Sequence, residues 1–276
     1  PPPSVVQFLP VHEEKHPGEK QNEIDSPFSA PQVNGNGLKK DDFIGKTIGG
    51  RYRIIDRLFC GVISRTYRAV DNKTNLSVAI SVTDKYDDLC EIQGDKIINN
   101  NDIVSNANLL EKLNYPMLQK VYYIEENEKY IAIVKEYLCG EKLSDFVEKA
   151  DDAFIVNTAE KLCGLLEYLH GQNPPIIHGL IEADNIMILP DGSMKLPEIR
   201  NQFKGFAHYD GCVLLPPNQY NAPEIHSGFF NEQTDIFSMG MVLYFLSSGI
   251  DPSEPPYEIK PISDVNKSIS KKLVKI

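Results

Sequence analysis

With 276 residues, of which 41% are hydrophobic, the chain is long enough to bury a substantial core and is neither fibrous nor disordered throughout. Its formal net charge is -11, so an average patch of its surface repels phosphate backbones and anionic lipid headgroups. Composition and charge therefore argue against nucleic acid and membrane surfaces as partners.

The cysteines and the apolar runs bear on the cellular compartment. The five cysteines are odd in number and widely spaced, with no CxxC pair of the kind that zinc or redox sites use. Reduced, mostly buried thiols are the expected state. No apolar run approaches the roughly 18 residues of a membrane span, and no export signal is visible. We expect a cytoplasmic protein and, because the chain starts at Pro1, a piece of a longer polypeptide.

Residues 1–42 are rich in proline, glycine and asparagine and have few periodic apolar positions. Prolines recur from Pro1 to Pro31, and Asn34-Gly35-Asn36-Gly37 follows. This composition is typical of a solvated tether, so it predicts a disordered linker. A docking peptide is the alternative.

Short β-like runs replace this composition from Arg51 onwards. They are separated by Gly61 and by the turn signal Asp71-Asn72-Lys73, which predicts successive strands of an antiparallel sheet. The runs cover residues 52–55, 66–70 and 77–82.

The pattern then becomes mainly helical. Apolar residues at helical spacing predict a helix over 103–113, and two further strands end at 131–134. Long helices are predicted over 155–170 and 233–247. A strand-rich half followed by a helix-rich half predicts an α+β protein with a cleft between two lobes.

Five segments, taken in their order and spacing, resemble the protein kinase family, closest to its bacterial Ser/Thr members. The resemblance covers residues 43–276 and implies a β-rich N-lobe at 43–134 and an α-helical C-lobe at 135–276. The family continues with further helices, so the resemblance implies an incomplete C-lobe. The segments are 51–82, 109–117, 133–143, 177–188 and 222–249.

The phosphate-binding elements depart from the family pattern. In the family a Gly-rich loop lets backbone N–H groups approach the phosphates of ATP, and a strand lysine pairs with a helix glutamate. The loop that matches here keeps only its middle glycine, Gly61. Ser81 stands at the lysine position and Asn106 at the glutamate position. The resemblance therefore implies that this ion pair is absent.

The catalytic loop departs as well. The stretch from His178 to Asn185 resembles the motif HRDLKPxN. Leu180 stands where the family has the aspartate that accepts the substrate proton, and an alkyl group cannot accept a proton. Glu182 stands where a lysine neutralises the transferring phosphate. With the losses above, these changes leave no catalytic residue in place.

Remnants of a metal site and a nucleotide pocket are implied by the same resemblance. Asn185 and Glu198, the latter at the aspartate of the DFG motif, either hold a weak magnesium ion or are ordinary polar loop residues. We expect no bound cofactor, with weak binding of ATP or magnesium as the alternative. The vestigial nucleotide pocket maps to Gly61, Thr66, Ala79, Glu136, Leu138 and Met187.

Lys135 falls at the gatekeeper position, at the back of the cleft, and is followed by the hinge segment Glu136-Tyr137-Leu138. A buried ammonium needs a partner or it sheds its proton. Two interpretations stay open. Lys135 pairs with Glu198 and fills the nucleotide site, or only its stem is buried and its head reaches water.

The positions that match the family are architectural. His178, Asp235 and the motif Ala222-Pro223-Glu224 fall where the family packs its catalytic loop against a central helix. We expect these residues to support the fold.

Three functions remain in competition. The losses predict a pseudokinase, a non-catalytic module of signalling that binds or regulates protein partners. The alternative is a residual or unusual ATP-dependent transferase of the Ser/Thr kinase type, with Asn185 and Glu198 as metal ligands. The third is a structural spacer in a longer chain.

Overall fold

A computed structural model describes residues 43–275 apart from 61–63, 86–89, 93–95, 99, 180, 198–219, 228–229 and 256. The linker predicted over residues 1–42 lies outside the described residues. So do three predicted site residues, Gly61, Leu180 and Glu198.

The N-terminal part is built on a six-stranded sheet in the order β1-β2-β3-β4-β8-β7, with every neighbouring pair antiparallel. The three predicted strands are confirmed and are longer than predicted. A separate hairpin and helix α1 lie between β4 and β7. The bounds are β1 (Thr47–Ile48), β2 (Tyr52–Cys60), β3 (Ser64–Asp71), β4 (Ser77–Asp84), β5 (Cys90–Ile92), β6 (Lys96–Ile98), α1 (Asn100–Lys112), β7 (Val121–Glu126) and β8 (Tyr130–Glu136).

Alternation along the strands gives this sheet one apolar face. Tyr67 and Ile80, paired across β3 and β4, are fully buried with other apolar side chains of the sheet. Arg68, the neighbour of Tyr67 on the opposite face, pairs with Asp56 at 2.6 Å. The period of two thus separates a buried face from one that carries polar and charged side chains.

Glu125 on β7 links the two outer strands of the sheet, β1 and β7. Its carboxylate accepts from the backbone N–H of Gly49 and from the hydroxyl of Tyr130, both at 2.6 Å. Gly49 has φ of 55°, and a Cβ there would lie 2.5 Å from the ring of Tyr123. Only glycine fits both restrictions. The sheet therefore curls until the turn after β1 lies against β7.

The C-terminal part is mainly helical, as predicted, around α2 (Asp152–His170), α3 (Glu232–Ser248) and the short α4 (Ile262–Val265). The side chain of Asp151 caps α2 by accepting from Phe154 N at 2.8 Å. Short 3-10 helices cover Leu143–Lys149, Ala183–Asn185, Pro223–Ser227 and Leu273–Lys275. A three-stranded antiparallel sheet, which the sequence did not predict, combines β9 (Glu141–Lys142), β10 (Met187–Ile188) and β11 (Met194–Lys195).

Buried leucines of α2 pack with α3 in the core of this second part. Leu162, Leu166 and Leu169 belong to the same buried cluster as Val242 and Leu246. Among the residues that the structure describes, no helix is long and apolar enough to cross a bilayer. The expectation of mostly buried thiols is wrong for Cys60, Cys139 and Cys163, which are exposed.

The segment between α1 and β7 docks on α2. Tyr115 stacks on Tyr168 with ring centroids 5.0 Å apart, and the Tyr168 hydroxyl accepts from Asn114 N at 2.9 Å. Met117, three residues after Asn114, accepts a hydrogen bond at its backbone carbonyl from Leu196 N at 2.7 Å. The strand-rich part is therefore joined to both α2 and the end of β11.

Candidate nucleotide and catalytic site

Ser81 lies in the middle of β4, where the resemblance places the phosphate-binding lysine. Its register partner on β3 is Thr66, and the two hydroxyl oxygens are 3.4 Å apart. Buried Ala79 lies two residues before Ser81 on the same face of the strand. At this pair of positions the sheet therefore presents two uncharged hydroxyls where the family pattern has a lysine.

Asn106 lies half-buried on α1, the helix that carries the pairing glutamate in the family pattern. Ser81 and Asn106 are both uncharged, so no ion pair between strand and helix can form at these positions.

The catalytic loop is fixed to α3 by Asp235. This carboxylate is fully buried and accepts from the backbone N–H groups of His178 at 2.8 Å and Gly179 at 2.7 Å. His170 Nε2 lies 2.9 Å from the same carboxylate. The architectural role expected of Asp235 is confirmed by these bonds. Gly179 has φ of 76°, a conformation that glycine adopts without steric cost.

Acidic side chains line the end of this loop. Glu182 is half-buried, and the 3-10 helix Ala183–Asn185 follows it. Burial acts to raise the pKa of Asp184, but bonds from Lys142, at 2.7 Å, and Ser144 outweigh it and hold the pKa below its usual value. Lys142 is thus engaged by Asp184, and Glu182 stands at the position of the family's lysine.

Tyr220 is buried against the same loop. Burial raises the pKa of its hydroxyl, and the charges of Asp251, Glu182 and Asp184 raise it further. The hydroxyl therefore stays protonated at neutral pH.

The predicted metal ligands are only partly placed. Asn185 is half-buried, and its backbone N–H donates to Glu182 O at 3.0 Å. Glu198 lies outside the described residues, so the structure shows nothing of the pair. Among the residues that are described, no group of three or more His, Cys, Asp or Glu side chains is arranged to hold a metal ion.

Every polar group of the hinge residue Glu136 has a partner within the chain. Its N–H donates to Lys120 O at 2.8 Å, and its carbonyl accepts from Gln119 Nε2 at 2.7 Å. Its carboxylate accepts from Lys195 Nζ at 2.8 Å and from Lys120 N at 3.3 Å. Gln119, Glu136 and Lys195 are called the hinge cluster below.

The sequence did not identify two members of the hinge cluster, Gln119 and Lys195. Both are buried, with only 8% and 9% exposure. A glutamine that directly follows the apolar pair Met117-Leu118 is a weak signal that was available. Lys195 gave no signal, because its partner lies 59 residues away.

Three further residues named in the sequence analysis lie among the described residues. Leu138 is half-buried just after β8, and Met187 on β10 pairs in register with Lys142 and Lys195. Lys135 is half-buried in β8, opposite Ala79 and Val121. Because Glu198 is not described, both interpretations of Lys135 stay predictions.

The order of strands and helices and the anchored catalytic loop agree with a match of residues 52–275 to the protein kinase domain family. The chain belongs to the protein kinase family. The structure titled PpkA-294 apo form superposes with a TM-score of 0.66 at 20% identity, over 87% of this chain and 91% of that one. This likeness supports the two-lobed kinase fold, with a β-sheet N-lobe and a helical C-lobe.

Curated relatives include plant and nematode kinases. The serine/threonine-protein kinase WNK8 of Arabidopsis thaliana is 28% identical over 221 residues, with 75% of this chain and 37% of that protein covered. The probable serine/threonine-protein kinase WNK10 of the same plant is 27% identical, with 75% and 40% covered. The serine/threonine-protein kinase WNK of Caenorhabditis elegans is 25% identical, with 84% and 13% covered. This kinase-family chain thus spans less than half the length of these relatives.

Proposed function

We propose that this kinase-family domain is a pseudokinase, which does not transfer phosphate and acts by binding or regulating protein partners. The observation that carries the proposal is the Ser81–Thr66 pair. Ser81 is short, uncharged and 3.4 Å from a second hydroxyl, at the strand position where the family holds ATP phosphates with a lysine. A serine hydroxyl cannot supply the positive charge that this step needs.

The charge around the catalytic loop supports the same conclusion. Glu182 takes the place of a lysine, and Asp184 already engages the cation Lys142. Two like charges about 4 Å apart repel by roughly 4 kcal/mol at an effective dielectric constant of 20. The loop therefore opposes the approach of a polyanion such as ATP, and we propose weak or absent binding of ATP and magnesium.

The binding role is proposed from what the domain retains. The fold is intact where it does not depend on catalysis, with Asp235 holding the loop and a buried core in each lobe. The acidic net charge of -11 disfavours nucleic acid and anionic membranes, which leaves proteins as the partner class. We propose a cytoplasmic signalling role within a longer protein.

A residual ATP-dependent transferase is the competing function. It is favoured by the curated relatives, which are named serine/threonine-protein kinases, and by Asn185, which keeps its position in the loop. Such an enzyme would have to use Asn185 and Glu198 as its metal ligands.

Phosphate transfer decides between the two. The protein is incubated with radiolabelled ATP, magnesium and generic Ser/Thr substrates, beside a variant with Asn185→Ala and Glu198→Ala. A pseudokinase gives equal, background incorporation in both samples. Incorporation that is higher in the unaltered protein, and that is lost on removal of magnesium, would establish the transferase.

A further inference from the structure

The side chain of Gln119 lies against the hinge, at the rim of the pocket assigned to the nucleotide. Its Nε2 donates to the backbone carbonyl of Glu136 at 2.7 Å, and only 8% of the residue is exposed. The bond is well within the ordinary range for N–H···O geometry. This hinge carbonyl is therefore already occupied by a donor from the chain itself.

The amide is bonded at one end only. Gln119 Oε1 is buried with no hydrogen-bond partner among the described residues. A buried acceptor without a partner costs free energy, which an apolar side chain of the same shape avoids. Apolar residues surround it in the sequence, with Met117 and Leu118 before it and Val121 after Lys120. The amide thus satisfies the hinge carbonyl through Nε2 and leaves its own Oε1 without a partner among the described residues.

An adenine ring recognises its site with an exocyclic amine donor next to ring nitrogen acceptors. A backbone carbonyl at the pocket rim is the acceptor that such an amine needs. The carbonyl oxygen has two lone pairs, and Gln119 Nε2 takes one of them. A purine amine that approaches along that direction has to displace the amide, whose Oε1 already lacks a partner among the described residues, and Nε2 then loses its partner too. Buried polar groups that lose their partners strongly penalise a ligand.

We propose that Gln119 is an internal plug of the nucleotide pocket, which excludes amine-bearing purines by occupying the Glu136 carbonyl. The plug rests on the proposed function, because it explains how the same pocket is closed to its ligand. It acts on the base, whereas Ser81 and Glu182 act on the phosphates. The two effects are therefore separable by a ligand without phosphates.

The test uses adenosine and purine riboside, the same nucleoside without the amine, as calorimetric probes. The variant is Gln119→Met, which keeps the length of the side chain and removes its polar end. Gln233→Met, at an exposed position on α3, is the matched control. We expect the unaltered protein and the control to bind adenosine more weakly than about 1 mM. Gln119→Met should bind it at least about tenfold tighter, without a matching gain for purine riboside.

Several results would overturn the plug. The first is tight adenosine binding by the unaltered protein, and the second is an adenosine affinity that does not increase in Gln119→Met. The third is an equal increase in affinity for purine riboside, which would indicate added apolar contact only. Cooperative unfolding of each variant is checked first, and Gln119→Leu replaces a methionine variant that fails. Failure of both to fold would show that the amide supports the structure, and would also overturn the plug.

The outcome is separable from the proposed function. Adenosine binding by the unaltered protein, without phosphate transfer, would overturn the plug and leave the pseudokinase proposal standing. Magnesium-dependent phosphate transfer would overturn the pseudokinase proposal whatever the adenosine titration shows.

Discussion

Gly164 on α2 and Tyr115 in the segment after α1 fit each other closely. A Cβ on Gly164 would lie 2.6 Å from the Tyr115 hydroxyl oxygen, and the next ring carbon would be 3.9 Å away. The glycine therefore makes room for one atom, the hydroxyl. This is the point at which the segment between α1 and β7 docks on the helix.

Gly164→Ala should have opposite effects in two backgrounds. In the unaltered protein the added methyl group meets the hydroxyl, and overpacking of this kind costs about 1–3 kcal/mol. In a Tyr115→Phe background the clash is gone, so the better helix propensity of alanine should stabilise α2 by up to about 1 kcal/mol. Chemical denaturation of the unaltered protein, Gly164→Ala, Tyr115→Phe and the double variant measures both effects. The same sign in both backgrounds would contradict the fit.

Asp71 should make stability depend on acid. Its carboxylate forms a bidentate pair with Arg51 and accepts from Lys73 N and the Thr74 hydroxyl. The bond from Arg51 is the largest of the effects that lower the pKa of Asp71 well below its usual range. A lowered folded pKa means that the stabilisation is complete above the unfolded value of about 3.9 and is lost as the pH falls through the folded value.

The measurement compares unfolding midpoints of the unaltered protein and Asp71→Asn from about pH 7 to about pH 3. The gap between the two proteins should be widest at neutral pH and should narrow in acid. Arg51→Met removes the main cause of the lowered pKa of Asp71. In an Arg51→Met background, the difference in unfolding midpoint that Asp71→Asn causes should therefore be small at neutral pH as well. A gap that is constant over this range would show that the carboxylate charge contributes nothing.

Lys195 and Glu136 should be energetically coupled. Their side chains are 11% and 23% exposed, and Nζ lies 2.8 Å from Oε2. Removing one partner leaves the other charge in a poorly hydrated site, whereas removing both avoids this. In a double-mutant cycle of Lys195→Met and Glu136→Leu we expect a coupling energy of about 1–3 kcal/mol.

The pair Lys260 and Glu258 serves as the control for that cycle. It lies 3.5 Å apart with side chains 53% and 64% exposed. Exposed pairs typically contribute about 0–1 kcal/mol, because solvent screens them. Equal coupling in the two cycles would mean that burial of the hinge pair has no energetic consequence.

Lys135 and Glu198 are subject to the same kind of cycle. If their charges face each other inside the cleft, Lys135→Met and Glu198→Leu should each destabilise the domain by about 3–5 kcal/mol, and the double variant should recover most of the loss. Additive single effects, or a stabilising Lys135→Met, would leave the alternative that the ammonium reaches water.

The sequence predicted those elements whose pattern repeats along the chain. β2, β3, β4, α2 and α3 each carry several turns of a helical or alternating period, so their existence followed from the periodicity. The two-residue strands β9, β10 and β11 are too short to carry a period. They form because the folded lobe brings them together.

The candidate site shows the same division. Ser81 and Asp235 were found because each sits at a fixed place in a recognisable local motif. The bond from Gln119 to Glu136 joins residues 17 positions apart. The hinge segment identified Glu136, but no motif contains Gln119. The exposed thiols of Cys60, Cys139 and Cys163 were mispredicted because the burial of cysteine is an average over proteins, and the position on the strand or loop decides the single case.

The contact between Gly49 and β7 also restricts how a partner can dock. An uncovered outer strand offers a row of backbone N–H and C=O groups, which another chain can extend by adding a strand of its own. Here one outer strand, β1, has two residues, and the other, β7, is crossed by the turn after β1, with Glu125 and Tyr123 engaged at the crossing. Strand addition to this sheet is therefore blocked at that point. At that point a protein partner, as proposed above, would meet side chains instead of open backbone groups, so its specificity there would depend on those side chains.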